Sequence, residues 1–290
     1  MSTRAPQQST APRPSAPRSS APRAWSQPSA ARRDAADNRA LPLYDAGAVE
    51  VPFVISGMGE TVERDTWWEE HSHPTHELLW NESGASSVAV GARTWTLTPA
   101  VGLWIPAGTR HTGWMPAGTH YRTAHFSVQA VPSISQVAVA VGLTPLLRLL
   151  LDRLADADLD DASRGTTEAM VLDVLAPAPH ELLLRIPEAP LLAPIVDALR
   201  EDPADTTTLA AWAARLGVST RTVTRAFTAE TGLGFTQWVA ASRMQHATVL
   251  LMQGETIEDV AAWTGFRSAS AFGAAFRRVT GTSPGRFRVQ

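Results

Sequence analysis

Leu209-Ala-Ala-Trp-Ala-Ala-Arg-Leu-Gly217-Val-Ser219-Thr-Arg-Thr-Val-Thr-Arg225-Ala-Phe227 decides the fold, because the chain repeats its pattern about fifty residues later. The second copy reads Ile257-Glu-Asp-Val-Ala-Ala-Trp-Thr-Gly265-Phe-Arg-Ser268-Ala-Ser-Ala-Phe272-Gly-Ala-Ala-Phe276-Arg-Arg278. In each copy a small residue, Ala213 or Ala261, precedes a glycine by four positions. The small residue lets two helices approach closely, and the glycine supplies the backbone freedom for a sharp turn. A serine, Ser219 or Ser268, then stands where the next helix needs an N-cap. Two such helix-turn-helix units can place two helices in successive major grooves on one face of DNA. Double-stranded DNA is therefore the expected partner.

Within the first unit the spacing predicts helices over about 209–216 and 220–230. Leu209, Trp212, Leu216, Val223 and Phe227 fall on the buried side. Arg221, Thr224 and Arg225 remain on the outer face of the recognition helix, and arginine can pair bidentately with guanine. The second recognition helix presents small residues instead: Ala269, Ser270, Gly273 and Ala274. Phe272 and Phe276, one turn apart, anchor it in the core. Arg267, Arg277 and Arg278 reach phosphates. The DNA-facing set is thus Ser219, Arg221, Thr224, Arg225, Arg267, Ser268, Ser270, Arg277 and Arg278. In this reading the first unit reads bases and the second positions the protein. A long helix over about 235–253 joins the units, with Arg243 on it as either a surface residue or a brace.

This region resembles the AraC/XylS family of bacterial transcription regulators over residues 191–290. The resemblance rests on Ala261-Ala-Trp-Thr-Gly265-Phe266, Phe272, Phe276-Arg277 and Gly281-Thr-Ser-Pro284-Gly-Arg-Phe287-Arg288. The linker-helix pattern Phe235-Thr-Gln-Trp238, Arg243 and Leu250-Leu251 belongs to it too. The resemblance implies that the positions of Arg221, Thr224 and Arg225 face the major groove, and that the transcription machinery is a further partner. Ala269, Ser270 and Ala274 are poorer in base-reading groups than many family members.

Charge is segregated along the 290 residues. All 25 basic residues are arginine, and there is no cysteine, which excludes disulfides and thiolate chemistry. Residues 1–40 carry seven Arg against two acids, residues 41–190 eight against eighteen, and residues 191–290 ten against eight. The acidic middle repels DNA, so the contact belongs to the C-terminal part. No stretch reads as membrane-spanning, and the N-terminus lacks the apolar core of a signal peptide. A cytoplasmic protein without a membrane partner is expected.

Four segments follow. Residues 1–40 form an Ala/Pro/Ser/Arg-rich tail too poor in apolar groups to offset ordering entropy, and are expected to be disordered. Residues 41–131 break into short strand-like runs, such as Leu78-Leu-Trp80, Ser87-Val-Ala-Val90, Arg93-Thr-Trp-Thr-Leu97 and Leu103-Trp-Ile105, separated by turn residues. Residues 132–190 read as helical, with Leu146, Leu147, Leu150, Leu151 and Leu154 as a stripe and a second helix near 167–175. This segment is either a connector packed on the barrel or a dimerisation helix, which would make the protein a homodimer. Residues 191–290 hold the two helix-turn-helix units. The fold class is α+β: a β-barrel followed by an all-α tandem unit.

The barrel region carries His71-Ser-His73-Pro-Thr-His76-Glu77, then Gly84, and later Pro106-Ala-Gly108-Thr-Arg-His111. His71 and His73, two apart on a strand, share a face. With Glu77 and His111 they form a plausible shell for a divalent metal that prefers N and O donors, Zn, Ni, Co, Mn or Fe. These residues resemble the two motifs of the cupin superfamily. The resemblance implies that His71, His73, Glu77 and His111 fill all four ligand positions. Met115 replaces the usual final Asn of the second motif, and its leading Gly is displaced to Gly102. His76, His120 and His125 are either supporting groups or ordinary surface residues. Trp67, Trp68, Trp80, Trp95, Trp104 and Trp114 divide between core and the wall of a cavity for an apolar ligand. Two functions compete on these side chains. One is a transcription regulator that senses a metal or small effector. The other is a metal-dependent cupin enzyme, of dioxygenase or isomerase type, fused to a DNA-binding domain. The complete tandem unit favours the regulator, because a catalyst does not need it.

Overall fold

The computed structural model describes residues 33–280 and 282–288. Eleven strands among them form two sheets. They are β1 (Asp37–Arg39), β2 (Ile55–Thr61), β3 (Thr66–His71), β4 (His76–Ser83), β5 (Ser86–Val90), β6 (Arg93–Leu97), β7 (Val101–Ile105), β8 (His111–Met115), β9 (His120–Phe126), β10 (Val139–Gly142) and β11 (Leu183–Arg185). One sheet runs β1-β3-β8-β5-β6-β11, the other β10-β7-β4-β9-β2. All pairings are antiparallel except β1 with β3. Strand periodicity sorts the side chains. On β4, Leu79 points between the sheets and packs with Val88, Trp95, Leu103 and Met115. Leu78 and Trp80 point the other way, with Trp104 and Phe126, toward two helices.

Those helices are α1 (Pro145–Leu154) and α2 (Asp161–Val174), capped by Thr144 and Asp160. Leu147, Leu150, Leu151 and Leu154 of α1 cover the outer face of the second sheet. Leu146 of the predicted stripe is exposed, as is Leu149.

Two expectations need correction. The tail expected to be disordered through residue 40 ends earlier, because β1 adds to the edge of β3 and Arg39 forms a two-pronged pair with Glu60 at 2.6 and 2.7 Å. Residues 1–32 of that expectation lie outside the described residues. The 132–190 segment is not wholly helical. Its β10 pairs with β7 and its β11 with β6, so both strands complete the barrel sheets. Short apolar runs such as Val139-Ala-Val141 cannot be assigned to helix or strand by periodicity alone.

The C-terminal part is built from α3 (Ala193–Glu201), α4 (Leu209–Arg215), α5 (Thr220–Thr231), α6 (Phe235–Met252), α7 (Ile257–Trp263), α8 (Ala269–Thr280) and the short α9 (Pro284–Phe287). The two units turn by the same pair of bonds. Gly217 N–H donates to Ala214 and Val218 N–H to Ala213; Gly265 N–H donates to Ala262 and Phe266 N–H to Ala261. Both glycines are left-handed, φ +68° and +76°, where a side chain is strained. Ser219 and Ser268 then accept the amides of Thr222 and Ala271 as caps.

Helix α6 joins the units and also docks on the barrel. Every residue from Met244 to Leu251 is buried. Trp238 packs in the first unit's core, and Val249 and Leu250 in the second's. Ala85, between β4 and β5, belongs to that second core. Gln245 Nε2 donates to the Thr94 carbonyl on β6 at 3.1 Å and to the Leu182 carbonyl at 3.0 Å. Trp238 Nε1 donates to the Arg185 carbonyl on β11 at 2.7 Å. Arg243 is a brace: its guanidinium donates to the carbonyls of Pro203 and Asp205, both at 2.9 Å. A Cβ at Gly265 would lie 3.1 Å from that guanidinium, so Arg243 also ties the second unit's turn to the first unit.

Gln245→Met keeps the length of the side chain but leaves two barrel carbonyls without these donors. A loss of about 1–3 kcal/mol is expected by denaturant unfolding. Val137→Ser, exposed ahead of β10, should stay within about 0.5 kcal/mol.

Candidate metal centre and DNA-facing surface

The four barrel residues singled out in the sequence come together at one end of the space between the sheets. Glu77 shares the inner face of β4 with Leu79. On β9 its register partner is His125, and that of Leu79 is Thr123. His111 opens β8 and pairs in register with His71 at the end of β3. A register shift lies between Trp68 and His71. Strict alternation from inward Trp68 would send His71 outward; the bulge reverses the parity and turns it in. His73 follows in the loop, on the same side. Gly113 of β8, opposite Trp68, leaves room for its indole: a Cβ there would sit 3.3 Å from Trp68 Cδ1.

The donor atoms of His71, His73 and His111 all lie within 4.8 Å of one another. Glu77 Oε2 is 3.4 Å from Nε2 of both His73 and His111. Ligands at about 2.1 Å around one tetrahedral ion are themselves about 3.4 Å apart, so this edge length suits a metal. His71 Nδ1 lies 2.6 Å from the Glu69 carbonyl, and His111 Nδ1 lies 2.9 Å from that of Thr109. Donation through Nδ1 leaves Nε2 as the free lone pair facing the centre. Glu77 Oε2 is buried without a well-formed hydrogen bond, an orphaned acceptor that a cation would satisfy. The three imidazoles fit a divalent ion, with the Glu77 carboxylate beside two of them.

Burial pushes His73 down to about 4, and burial together with the neighbouring His111 lowers His71. Burial also works against the charged form of His111, but the Glu77 carboxylate outweighs it and the net direction is up. Burial would raise Glu77; the imidazoles of His111 and His73 overcome that and hold it well below the usual carboxylate range. Three of the four groups therefore stand in the ionisation state that metal ligation requires.

The centre opens into a cavity of about 170 Å³ whose wall includes Leu41, Met58, Trp68, Val88, Met115 and Tyr121. Of the described tryptophans, only Trp68 lines it. Trp80, Trp95, Trp104 and Trp114 are core, and Trp67 is half-buried beneath Arg33. His125 lines the cavity, with its Nδ1 3.0 Å from Thr75 Oγ1. His76 is structural: its Nδ1 accepts the Ala107 amide, and its ring lies against Trp104. His120 meets Thr61 at the surface. The sequence reading missed Thr123 and Tyr121 as cavity residues and left Trp68 unsorted among the six tryptophans, because their facing depends on register and on the bulge.

In the C-terminal part, Ser219, Arg221, Arg225, Arg267, Ser268, Ser270, Arg277 and Arg278 are exposed, and Thr224 is half-buried. Val223, Phe227, Phe272 and Phe276 hold the two recognition helices, α5 and α8, from behind at 0% exposure. Among the described residues, none of the five arginines is paired with a carboxylate. No helix of the described residues is long and apolar enough to cross a membrane.

A barrel with a histidine-lined pocket, carrying two exposed recognition helices on one linker helix, defines a DNA-binding protein with a ligand-binding domain. The AraC-like ligand binding domain family matches residues 60–171, and the helix-turn-helix domain family matches residues 212–290. The HTH-type transcriptional regulator NimR of Escherichia coli is 27% identical over 221 residues, 75% of this chain and 81% of the relative. The HTH-type transcriptional regulator RipA of Corynebacterium glutamicum is 32% identical over 217 residues, 72% of this chain and 61% of the relative. Among solved structures, ToxT of Vibrio cholerae aligns over 81% of this chain and 97% of its own at 10% identity and a TM-score of 0.35. The AdpA DNA-binding domain, solved with a target DNA, aligns over 34% of this chain and 90% of its own at 34% identity and a TM-score of 0.32. The chain belongs to the AraC/XylS family: it is a DNA-binding transcription regulator with an N-terminal cupin-like domain.

The histidine shifts set an acid limit on the metal-free barrel. A histidine lowered in the fold binds its proton more readily when unfolded, so stability rises with pH between the two values. For His73 that window runs from the ordinary 6.5 down to about 4. His71 adds to it in the same direction, while raised His111 is stabilising on the acid side and opposes it. Unfolding midpoints measured from pH 7 to 4.5 should fall, with His73 contributing up to about 1.4 kcal/mol per pH unit. His73→Phe should flatten the fall.

Proposed function

We propose that the protein is a regulator and not an enzyme, and that its barrel binds one divalent metal through His71, His73, Glu77 and His111 and passes that state to the DNA-binding half. The supporting observation is the orphaned Glu77 Oε2, held 3.4 Å from two imidazoles whose free nitrogens converge on it. When bound, the ion would act as a Lewis acid that fixes an oxygen-bearing effector in the cavity. The residues hold the ion, and the buried barrel wall excludes water around it. The route onward is α6, whose Gln245 is bonded to the barrel strand β6 while its two ends carry the recognition helices. Typical coupling between such sites is about 1–3 kcal/mol, five- to 150-fold in affinity.

On DNA, Arg221, Thr224 and Arg225 read bases from α5. Arg267, Arg277 and Arg278 hold phosphates beside α8, with Ser219, Ser268 and Ser270 at the helix starts. The protein acts in the cytoplasm, with the transcription machinery as its second partner. Exposed Leu146 and Leu149 on α1 and Met170 on α2 are the apolar groups through which a homodimer would form.

The metal reading predicts calorimetric uptake of one equivalent of Zn(II), Ni(II), Co(II) or Mn(II) by chelator-treated protein. The His71→Ala/His73→Ala double variant should lose it; unchanged uptake in that variant would place the ion elsewhere.

Competition binding tests the DNA assignment. Arg221→Ala or Arg225→Ala should each cost about 1–3 kcal/mol of discrimination between operator and random DNA. Replacing Arg267, Arg277 and Arg278 should weaken binding to all sequences alike and flatten its salt dependence. Operator preference equal to the parent's in both Arg221 and Arg225 variants is the result that sinks the base-reading role.

A further inference from the structure

Two backbone bonds fix which way β2 faces. Ser127 N–H donates to the Val54 carbonyl, and Val62 N–H donates to that of Thr119. Along an antiparallel ladder, pairs that exchange bonds alternate with pairs that do not. Ser56, Met58 and Glu60 therefore bond to β9, while Ile55, Gly57, Gly59 and Thr61 turn their amides and carbonyls away from it. The Ile55 amide is taken by Glu168 Oε1 at 3.3 Å. The outward amides of Gly57, Gly59 and Thr61 have no partner among the described residues, and all three residues are exposed. The other sheet edges are covered or short. Trp238 Nε1 donates to the Arg185 carbonyl on β11, Ala178 N–H donates to the Ala140 carbonyl on β10, and β1 has only 3 residues. Strand β2 has 7, in unbroken register with β9 and without proline, and its one charged residue, Glu60, is paired with Arg39. Such an edge is a template for another strand, and native proteins normally blunt it.

The order of residues in β2 says which strand fits. A two-fold axis through Met58 sets Gly57 opposite Gly59 of the second copy, and Gly59 opposite Gly57. All of these face outward, so each pair can exchange amide–carbonyl bonds in both directions. Thr61 N–H then meets the Ile55 carbonyl of the second copy, the outward group that Glu168 leaves free. Met58, 57% exposed, meets its own copy in the closely spaced kind of pair. No like charges face each other, because Glu60 stands opposite Ser56. An axis at Glu60 would set two carboxylates face to face. An axis at Gly57 would oppose Gly59 to Ile55, whose amide is already held. The chain's own N-terminal segment suits the edge less. Pro6, Pro12, Pro14, Pro17, Pro22 and Pro28 interrupt it, and proline donates nothing to a ladder.

We propose that β2 is a self-association edge: two copies of the chain pair their β2 strands antiparallel about Met58 and join their β10-β7-β4-β9-β2 sheets into one. The contact does not depend on the metal reading. It also lies on a different element from the exposed leucines of α1 and Met170 of α2, so a copy carries two separate surfaces for its own kind. Joined at β2, two copies bring two pairs of recognition helices to one DNA.

Sedimentation of the full-length protein over a range of concentrations tests the edge, first in the parent and then in Leu146→Ser/Leu149→Ser/Met170→Ser, which removes the helix groups. Association should persist in that triple variant. Added to it, Met58→Glu or Met58→Lys should each weaken association about tenfold, because a lost apolar pair and a like-charge contact coincide at the axis. Met58 is exposed, so neither change disturbs the core. An equimolar mixture of the Glu and Lys variants should restore association, since opposite charges then face each other. The chain has no cysteine, so Met58→Cys supplies a single thiol per copy. With copper–phenanthroline as the oxidant it should form disulfide-linked dimers at least about tenfold faster than Val137→Cys. A triple variant that is monomeric at every concentration overturns the proposal. So does association that the Met58 charges leave unchanged, a mixture no better than either variant alone, or equal cross-linking at positions 58 and 137.

Discussion

The burial of α6 is the constraint on which the rest of the molecule depends. A helix buried on all sides has to satisfy several neighbours at once. From Met244 to Leu251 no side chain reaches solvent to a significant extent. Toward its start, Trp238 closes the first unit's core; toward its end, Leu250 and Leu251 close the second's. Between them Gln245 satisfies two barrel carbonyls. An 18-residue helix is about 27 Å long at 1.5 Å per residue. That is the order of one turn of DNA, about 34 Å, which two recognition helices on one face must span. The same rod therefore sets the spacing of the DNA-facing surfaces and their attachment to the barrel. Arg243 reinforces it, because its guanidinium holds the loop before the first unit and lies against the turn of the second.

The barrel's interior makes the opposite choice at one end. Most of the space between the sheets is filled by Leu79, Trp95, Leu103 and their neighbours. Near the mouth, four ionisable groups replace apolar ones. His71 and His111 are 5% and 4% exposed, and Glu77 is 4% exposed. A buried carboxylate without a partner is costly, and imidazoles alone stabilise it only by holding a proton. The bulge at the end of β3 shows that the arrangement is built into the backbone: without it His71 would face solvent and only three of the four groups would converge.

How far the sequence reveals this depends on the range of the signals. The helix-turn-helix units were legible because their rules are local. Ala213 and Gly217, like Ala261 and Gly265, fix a turn within five residues, and Ser219 and Ser268 cap within three. The strands around Trp80, Val88, Trp95 and Trp104 were legible from alternation and turn residues. That His71, His73 and Glu77 lie near one another was legible from motif spacing; that His111 joins them follows from its register with His71. Strands β1, β10 and β11 were not. Each has three or four residues and owes its conformation to a distant edge: Arg39 to Glu60, Ala140 to Leu103, Leu184 to Thr94. The division of the tryptophans was equally hidden. Trp67 and Trp68 are neighbours in sequence, yet one lies under Arg33 and the other lines the cavity.

The distance between sensing and DNA binding is short when followed strand by strand. Val88 on β5 lines the cavity and is in register with Trp95 on β6, and Trp95 follows Thr94, whose carbonyl Gln245 holds. Adjacent strands are about 4.8 Å apart, so a single inter-strand spacing separates the cavity wall from the strand bonded to α6. Packed interiors resist compression, and a shift of β5 by a fraction of an ångström must be absorbed by its neighbour or passed on. On β6 the outer side is already occupied by α6, so absorption there means moving the helix that carries both recognition helices. On the proposed reading, ligand contact with Val88 and a change at the DNA surface would be two ends of one sheet displacement.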